Sequence, residues 1–272
     1  MAYKTLLLEK KGKITVLTFN RPARLNAVNA TMNTEIPRAI QEVAADDSCR
    51  VLVLTGSGRG FCAGGDFRGD EDSLIGSETV KTANRTAGAA AKLVRGYTRP
   101  IALALMQLDI PTVAMVNGVA VGQGFSMSQA CDIRIGSTNA RFRVGWTVRG
   151  LAAAFGDTWM LPRIIGVGRA LELIYTARFL EAEEAHHIGL LNRLVAPEKL
   201  EEETMAMANQ LANGPGLALR LDKWATYAGL NMDFGAALDM LAASQGIALT
   251  SEDFKEATKA FQEKREPVYK GM

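Results

Sequence analysis

Hydrophobic and polar residues alternate in two stretches near the start of the chain and recur at helical spacing in a third. Residues 4–9 and 13–19 show the period-two alternation of half-buried strands. Residues 31–45 carry apolar side chains every three or four positions, which predicts an amphipathic helix that Pro37 kinks or delays. Residues 50–55 form the next predicted strand, so the chain begins with the order strand, strand, helix, strand.

Strands and helices continue to alternate further along the chain. Residues 111–116 are continuously apolar, which is typical of a buried strand, and the helix that follows is predicted to end near Ala130. Nearly everything from Phe155 onward is predicted to be helical. Short strands are predicted at residues 131–135, 140–144 and 190–195.

The alternation of strands and helices predicts an α/β layer architecture. We expect a core over residues 1–197 and a helical C-terminal subdomain over residues 198–272. Within the core, small and acidic residues between positions 73 and 88 favour a mobile surface element.

Two glycine-rich loops each follow a predicted strand and open a helix. The first spans residues 56–66, and the second is Gly122-Gln123-Gly124. This arrangement aims unpaired backbone N–H groups and the positive end of a helix dipole at one point, where a negatively charged oxygen is preferred. The alternative is that the glycines serve only tight turns.

Neither loop has the spacing of a nucleotide-binding motif. Gly60-x4-Gly65 is followed by Asp66, where a phosphate-binding P-loop has lysine. The second loop has Met127 where the dinucleotide fingerprint has its third glycine. The loops therefore either form a site for a negatively charged oxygen that is not a nucleotide phosphate, or serve only tight turns.

Composition and charge exclude several classes of protein. The chain has 272 residues with 31 Lys and Arg against 29 Asp and Glu, so its formal net charge is only +2 and predicts neither nucleic acid nor a membrane surface as partner. No apolar run reaches the roughly 18 residues that cross a bilayer, and no signal peptide is recognised. We therefore expect a cytoplasmic protein.

Metal and hydrolase chemistry are not predicted. The three cysteines form no CxxC pair, and the two histidines, His186 and His187, are adjacent, which does not match the common zinc spacings. A serine hydrolase triad would need a G-x-S-x-G turn, which the sequence lacks.

Six short motifs follow one another along the chain. They are Asn20-Arg21-Pro22-x-x-Leu25-Asn26-Ala27, Gly60-Phe61-Cys62-Ala63-Gly64-Gly65-Asp66, Asn117-Gly118-Val119-Ala120-x-Gly122-x-Gly124, Cys131-Asp132-Ile133, Leu161-Pro162-Arg163-Ile164-Ile165-Gly166 and Phe261-Gln262-Glu263-Lys264. In this order they resemble the enoyl-CoA hydratase/isomerase (crotonase) family over essentially the whole chain. The resemblance implies a crotonase-like spiral of β-β-α units with a helical C-terminal trimerisation region, in a homotrimer or a dimer of trimers. It also implies an acyl-CoA substrate, with coenzyme A as part of the thioester and no tightly bound cofactor.

The resemblance also assigns roles to particular residues. The backbone N–H groups of Gly65 and Gln123 would form an oxyanion hole for the thioester carbonyl, where two preorganised donors together contribute several kcal/mol. Residues implied to border coenzyme A are Arg24, Ala27, Ala63, Asp66 and Phe67. Phe261 and Lys264 would reach the cofactor of a neighbouring subunit. The alternatives are a solvated arginine at position 24 and an ordinary amphipathic helix around position 261.

The acid/base positions of the family hold no carboxylate here. Counting without gaps places Ser126 and Trp146 at the positions of the two hydratase glutamates. The same count places Ala154 at the start of the helix where isomerase and dehalogenase relatives have an acidic residue. The nearest carboxylate is Asp157, which as a general base needs a pKa raised by burial. Its alternative role is to stabilise the positive end of that helix.

Other acidic and apolar residues have simpler expected roles. Asp66 is expected to cap a helix and Asp132 to hydrogen-bond at a strand end. Phe125, Trp146 and residues 103–108 line an acyl tunnel or belong to the core. Three further acidic residues flank the acyl pocket as outside candidates, namely Asp70, Glu71 and Asp72.

The resemblance thus implies an enzyme that processes acyl-CoA thioesters. It would stabilise a thioester enolate in a backbone oxyanion hole and use non-standard acid/base residues. An acyl-CoA-binding paralogue with little or no turnover is the alternative, favoured by Ser126, Trp146 and Ala154. A third reading is a subunit that only forms oligomers within a larger acyl-CoA complex.

Overall fold

The structure, a computed structural model, describes residues 3–68, 73 and 86–271. The predicted mobile element at 73–88 lies outside these residues except for Ser73 and positions 86–88, and so do the outside candidates Asp70, Glu71 and Asp72. The described strands are β1 (Leu6–Lys11), β2 (Ile14–Phe19), β3 (Val51–Gly56), β4 (Gly60–Cys62), β5 (Thr112–Val116), β6 (Val119–Val121), β7 (Ile133–Ser137), β8 (Arg141–Arg143), β9 (Leu180–Glu181) and β10 (Arg193–Val195). The described helices are α1 (Ala30–Ala44), α2 (Ala87–Met106), α3 (Gln123–Ala130), α4 (Asp157–Ile165), α5 (Val167–Thr176), α6 (Ala182–His187), α7 (Leu200–Ala212), α8 (Gly216–Gly229), α9 (Phe234–Leu249) and α10 (Glu252–Glu263).

The longer strands form one six-stranded sheet in the order β1-β2-β3-β5-β7-β10. An antiparallel hairpin of β1 and β2 begins the sheet, and every following pair is parallel, with Leu17 opposite Leu54 and Val53 opposite Val113. Parallel strands must be joined by crossover connections, which here carry the glycine loops and α1 to α3. The predicted α/β alternation is confirmed.

Both faces of this sheet are covered. One face packs on the main hydrophobic core, which includes Leu17, Leu52 and Leu54. The other face, with Val16 and Val53, packs against α7. The helical C-terminal region therefore shares a core with the sheet through α7, and the division at residues 197 and 198 stays a prediction.

Helix α1 begins directly after its N-cap residue, Asn29, and Pro37 does not delay its start. The Asn29 side chain accepts a hydrogen bond from the backbone N–H of Met32, which fixes the helix start. The helix runs through Pro37 to Ala44 because its apolar face, with Ile36 and Ile40, is buried in the main core. The expected delay at Pro37 is thus wrong.

Helix α8 is tied to the sheet through Asp132, at the start of β7. Its carboxylate accepts hydrogen bonds from Thr112 N and Oγ1 at 2.8 and 2.9 Å and from the Tyr227 hydroxyl at 2.9 Å. Lys223 Nζ lies 2.8 Å from the same carboxylate. The expected role of Asp132 as a hydrogen-bonding residue at a strand end is confirmed.

Three short strands were not predicted from the sequence. They are β4, β6 and β9, which with β8 form a second, four-stranded sheet in the order β4-β6-β8-β9. Strand β4 belongs to the first glycine loop, and β6 leads directly into the second. The second sheet thereby brings the two loops side by side.

Candidate functional site

Two asparagine side chains hold the first glycine loop. Asn26 Nδ2 donates to the carbonyl oxygens of Ser57 and Gly60 at 2.9 and 2.8 Å. Asn117 Nδ2 donates to Gly56 and Gly58 at 2.9 and 2.8 Å. Both asparagines belong to motifs found in the sequence, and their contacts explain why amides are needed there: the loop carbonyls gain donors that a strand ladder does not supply.

The end of the first loop pairs with the segment that follows Arg24. Val28 N donates to Gly64 O at 2.7 Å, and Asp66 N donates to Val28 O at 2.8 Å. The N–H of Gly65, between these two bonds, donates to no backbone acceptor within residues 3–68, 73 and 86–271. Gly65 therefore presents a free donor on a fixed backbone.

The second loop packs directly on the first. Gly64 has a φ of +90°, and a Cβ there would lie 2.7 Å from Val121 O and 3.7 Å from Gln123 N. A Cβ on Gly124 would collide with the Cys62 carbonyl oxygen. Because Gln123 is the first residue of α3, its N–H has no partner within the helix. The loops thus bring the Gly65 segment and the Gln123 amide together.

Asp66 is buried in an ion pair. Its carboxylate lies 3.0 Å from Arg21 Nη1, which also donates to the carbonyl oxygen of Ala27. Residues 67 and 68 are not helical, so the expected helix cap at Asp66 is wrong. The carboxylate instead pairs with Arg21 of the first motif. This ion pair joins the first motif to the end of the first glycine loop, next to Gly65.

Asp157 is the centre of a buried hydrogen-bond cluster. Its carboxyl Oδ1 accepts from Ser126 Oγ at 2.7 Å and from Gln129 Nε2 at 3.0 Å. Its Oδ2 accepts from the indole Nε1 of Trp146 at 3.1 Å. The Asp157 residue is 0% exposed. Ser126 and Trp146, at the presumed glutamate positions, therefore both donate hydrogen bonds to the carboxylate of Asp157.

The surroundings of Asp157 favour an unusual titration. Burial raises the pKa of its carboxyl above the usual range, while the hydrogen bonds from Ser126, Gln129 and Trp146 and the backbone N–H at the helix start offset part of the rise. A carboxyl in such a place can hold or release a proton nearer to neutrality than an exposed one. Asp157 also lies in the first turn of α4, so it stabilises the helix end at the same time.

The count that put Ala154 at the start of the helix was wrong. Ala154 lies in the loop before α4, Gly156 occupies the N-cap, and Asp157 is the first helical residue. The loop after Trp146 contains a short turn at residues 147–149, and Ala154 follows it before the helix begins. An acidic residue therefore does occupy the helix start.

The expected acyl-lining residues separate into two places. Phe125 is buried in the core against Phe142, with ring centroids 5.4 Å apart. Leu103 and Met106, within residues 103–108, line a mainly apolar cavity of about 250 Å³ between α2 and the start of α4. Trp159 lines it from α4, so the cavity adjoins the helix that carries Asp157.

The expected coenzyme A residues are distributed over the first motif, the first loop and the C-terminus. Arg24 is half-buried at the end of a short turn, and Ala63 N donates to Leu25 O at 2.9 Å. The Arg149 guanidinium stacks over the Phe67 ring, with its Cζ atom 4.5 Å from the ring centroid. Phe261 is 86% exposed near the end of α10, and Lys264 follows the helix with a φ of +53°.

Neither a metal cluster nor a membrane helix is found in the described part of the chain. Among these residues no group of three or more His, Cys, Asp or Glu is placed to hold a metal ion. None of the described helices is both long and apolar enough to span a bilayer.

Sequence reasoning missed Gln129 and Arg21. Gln129 follows Ser126 by three positions, which is the spacing that puts two helix residues on one face. That spacing signals a shared target once Ser126 is under consideration. Arg21 lies inside a quoted motif, but its pairing with Asp66 depends on contacts between distant segments.

Comparisons with known proteins cover the whole chain. The family model described as enoyl-CoA hydratase/isomerase matches residues 9–272. A crotonyl-CoA hydratase of Syntrophomonas wolfei is 35% identical over 266 residues, 97% of both chains, and a 1,2-epoxyphenylacetyl-CoA isomerase of Escherichia coli is 34% identical over 262 residues, 96% of both. The crystal structure of an enoyl-CoA hydratase from Bacillus anthracis superposes with a TM-score of 0.89 at 31% identity, over 99% of this chain and 100% of that one. These matches confirm the resemblance and the crotonase-like fold.

Replacing Asp157 by asparagine is expected to change how stability depends on pH. Because the folded pKa is raised, the folded chain holds an extra proton between the unfolded pKa, about 3.9, and the folded one, and stability falls as the pH rises through that window. Asp157→Asn lacks this loss. Relative to the wild type, its free energy of unfolding should rise with pH by about 1.4 kcal/mol for each unit of pKa elevation.

Urea unfolding at a series of pH values from about 4 to 8 measures this difference. The exposed Asp109 supplies the control, since Asp109→Asn should run parallel to the wild type. An Asp157→Asn series that also runs parallel to the wild type contradicts the raised pKa.

Proposed function

The chain belongs to the enoyl-CoA hydratase/isomerase family, and on that basis we propose that it moves a proton between carbons of an acyl-CoA thioester, with Asp157 as the proton carrier. The chain is an enzyme of this family, a lyase or an isomerase. The observation that carries the proposal is the convergence of Ser126, Gln129 and Trp146 on the buried carboxyl.

The thioester oxygen would bind where the two glycine loops meet. Removing a proton from a carbon conjugated with the thioester places negative charge on its oxygen. The backbone N–H groups of Gly65 and Gln123 are the proposed donors to that oxygen, and both lack a backbone acceptor in the described structure. Donors that are already in place cost no reorganisation as the charge develops.

A single carboxyl suits a double-bond shift better than hydration. In an isomerisation, one group takes a proton from one carbon and returns it to another, so one carboxyl can act first as base and then as acid. Hydration also needs a group that orients and deprotonates water, and the two implied glutamate positions hold Ser126 and Trp146. Isomerisation between positions of the acyl double bond is therefore the reaction that we propose.

The apolar cavity between α2 and α4 is the proposed place for the acyl chain. Its volume of about 250 Å³ exceeds the roughly 150 Å³ that holds a benzene ring. Its lining includes Leu103, Met106 and Trp159, which favour a hydrocarbon acyl group over a polar one. Coenzyme A is proposed to lie along Arg24, Ala27, Ala63, Asp66 and Phe67, as part of the substrate and without a tightly bound cofactor.

We propose that three chains, or two such trimers, form the working enzyme. The C-terminal helices expose a large apolar surface, in which Phe234 is 79% and Trp224 55% exposed together with Leu238 and Leu241. Contiguous apolar surface of this kind marks an interaction site. Phe261 and Lys264 would reach the coenzyme A of a neighbouring chain.

The oligomer can be tested by light scattering after size exclusion. The expected mass is three or six times that of one chain. A monomer at micromolar concentration contradicts this proposal and leaves Phe261 and Lys264 without their proposed role.

Asp157→Asn is expected to abolish proton transfer while thioester binding remains. The variant and wild type are incubated in D2O with β,γ- and α,β-unsaturated acyl-CoA thioesters, and double-bond position and deuterium content are followed by chromatography and mass spectrometry. Loss of the acid/base group should lower the rate about 10²- to 10⁴-fold. Asp109→Asn is the matched control and should keep the wild-type rate.

Other outcomes of this experiment separate the alternatives. Isomerisation that survives in Asp157→Asn contradicts the assignment of the proton carrier. Thioesters that bind to the wild type without any change, even deuterium uptake, indicate the binding paralogue instead. Water addition as the main wild-type reaction overturns isomerisation in favour of hydration.

Gln123→Pro tests the oxyanion hole by removing one N–H. Proline is well accepted at the first position of a helix, which Gln123 occupies in α3. The rate should fall by about a hundred- to a thousandfold, as for other lost oxyanion donors.

Gln123→Ala is the control for the side chain. It keeps the N–H but loses the hydrogen bond from Nε2 to Asn33 Oδ1 at 3.0 Å. Its rate should stay within about tenfold of the wild type. Equal losses in the two variants would count against the N–H as an oxyanion donor.

A further inference from the structure

The three side chains around Asp157 differ in what they can do. An indole N–H donates only, so Trp146 stabilises the carboxylate more than the neutral acid, to whose carbonyl oxygen Oδ2 it can still donate. A serine hydroxyl and a glutamine amide each contain both a donor and an acceptor. Ser126 and Gln129 both contact Oδ1, whereas Trp146 contacts Oδ2. One oxygen of Asp157 thus has only partners that can serve either protonation state.

Ser126 has a second place for its hydrogen. Its Oγ lies 2.7 Å from Asp157 Oδ1 and 2.9 Å from the carbonyl oxygen of Gly122. A hydroxyl has one hydrogen, so it donates to one of these oxygens at a time. When the hydrogen turns to Gly122, Oγ is free to accept a hydrogen bond from a protonated Asp157.

Within the described residues, the side chain of Gln129 has one hydrogen-bond partner, Asp157. Its residue is 3% exposed, and Nε2 donates to Asp157 Oδ1 at 3.0 Å. Its Oε1 is buried and has no hydrogen-bond partner in the described structure. Rotating the amide by half a turn exchanges the two atoms, so that Oε1 can accept from Asp157. Among the described residues, the bond to Asp157 is the only hydrogen bond of the side-chain amide that changes in that rotation.

We infer that Ser126 and Gln129 are positioning residues that change from donors to acceptors when Asp157 takes up a proton, sharing its single Oδ1–H as a three-centre hydrogen bond, which keeps the carboxyl in one place as base and as acid. This inference rests on the proposed role of Asp157. In the step, a substrate C–H bond breaks, the proton bonds to Oδ1, and the electron pair stays on the substrate as the enolate. Ser126 keeps its own proton and only turns it to Gly122. Returning the proton to another carbon reverses each change.

The reversal also reaches the oxyanion hole. The Gly122 carbonyl and the Gln123 N–H belong to the same peptide group. A hydrogen bond from Ser126 to that carbonyl polarises the group and strengthens its N–H as a donor by roughly 10–30%. The N–H is therefore the better donor while Asp157 holds the proton, which is when the enolate exists.

Among the described residues, no charged group contacts the carboxyl of Asp157. Its contacts from α3 are Ser126 and Gln129, its contact from the preceding loop is Trp146, and α4 contributes its own backbone N–H. None of these contacting groups in the described structure is ionisable. In the described structure, therefore, only neutral donors and acceptors respond directly to the protonation of the carboxyl.

The test compares Ser126→Ala with Trp146→Phe, in kcat and in the pH profile of kcat/KM. Trp146→Phe removes a donor that favours the carboxylate over the neutral acid, so the acid limb of the profile should move to higher pH, and kcat on the plateau should fall less than in Ser126→Ala. Ser126→Ala removes a partner of both states. Its limb should move less, while kcat on the plateau falls about tenfold, the effect of one ordinary hydrogen bond. Ser126→Thr, which restores the hydroxyl, should recover most of kcat.

Difference infrared spectra during a pH titration supply a readout that does not depend on turnover. The carboxyl band is assigned by its loss in Asp157→Asn, and the amide band by its loss in Gln129→Met. The amide band should change in step with the carboxyl band. An amide band that stays constant overturns the role of Gln129.

The outcomes distinguish this inference from the proposed function. If Asp157→Asn keeps its turnover, the proposed function fails, and this inference fails with it. If Asp157→Asn is inactive but Ser126→Ala shifts the acid limb as far as Trp146→Phe with an unchanged plateau, Ser126 is a donor to the carboxylate only. Only the reversal is then wrong.

Discussion

The burial of one carboxyl among neutral partners is the constraint on which the site depends. Taking Asp157 out of water penalises its charged form, and no cation in contact with it in the described structure compensates. Three neutral side chains supply hydrogen bonds instead, from α3 and from the loop before α4. The result is a carboxyl whose pKa burial raises above its usual range and three neutral donors lower in part.

The rest of the fold brings the two glycine loops together at the start of helix α3, which also contacts this carboxyl. The side-chain amides of Asn26 and Asn117 donate hydrogen bonds to backbone carbonyl oxygens of the first glycine loop. These bonds hold the loop in place without strand pairing. Gly64 and Gly124 permit the close approach of the two loops. Helix α3 joins both features, because it begins at Gln123 and carries Ser126 one turn later. A single short helix thus connects the proposed oxyanion hole with the proposed proton carrier.

Most of the longer elements could be predicted from the sequence, since their hydrophobic periodicity extends over five or more residues. Strands β4, β6 and β9 could not, because two or three residues give no periodicity and two of these strands adjoin glycines. The two glycine loops were recognisable from local sequence, and Asp157 was a candidate. Its network was not predictable, because the helix begins at Asp157 and not at Ala154, and the contact of Gln129 arises only when α3 packs on α4.

The fate of the transferred proton tests the central claim most directly. An unsaturated acyl-CoA thioester carrying deuterium on its γ-carbon is converted in ordinary water in a single turnover, and the label on the α-carbon of the product is measured. A buried carboxyl with no ionisable neighbour in contact exchanges slowly with solvent, so we predict that part of the deuterium moves from the γ- to the α-carbon. A product whose α-carbon holds only solvent hydrogen contradicts a single buried carrier at Asp157.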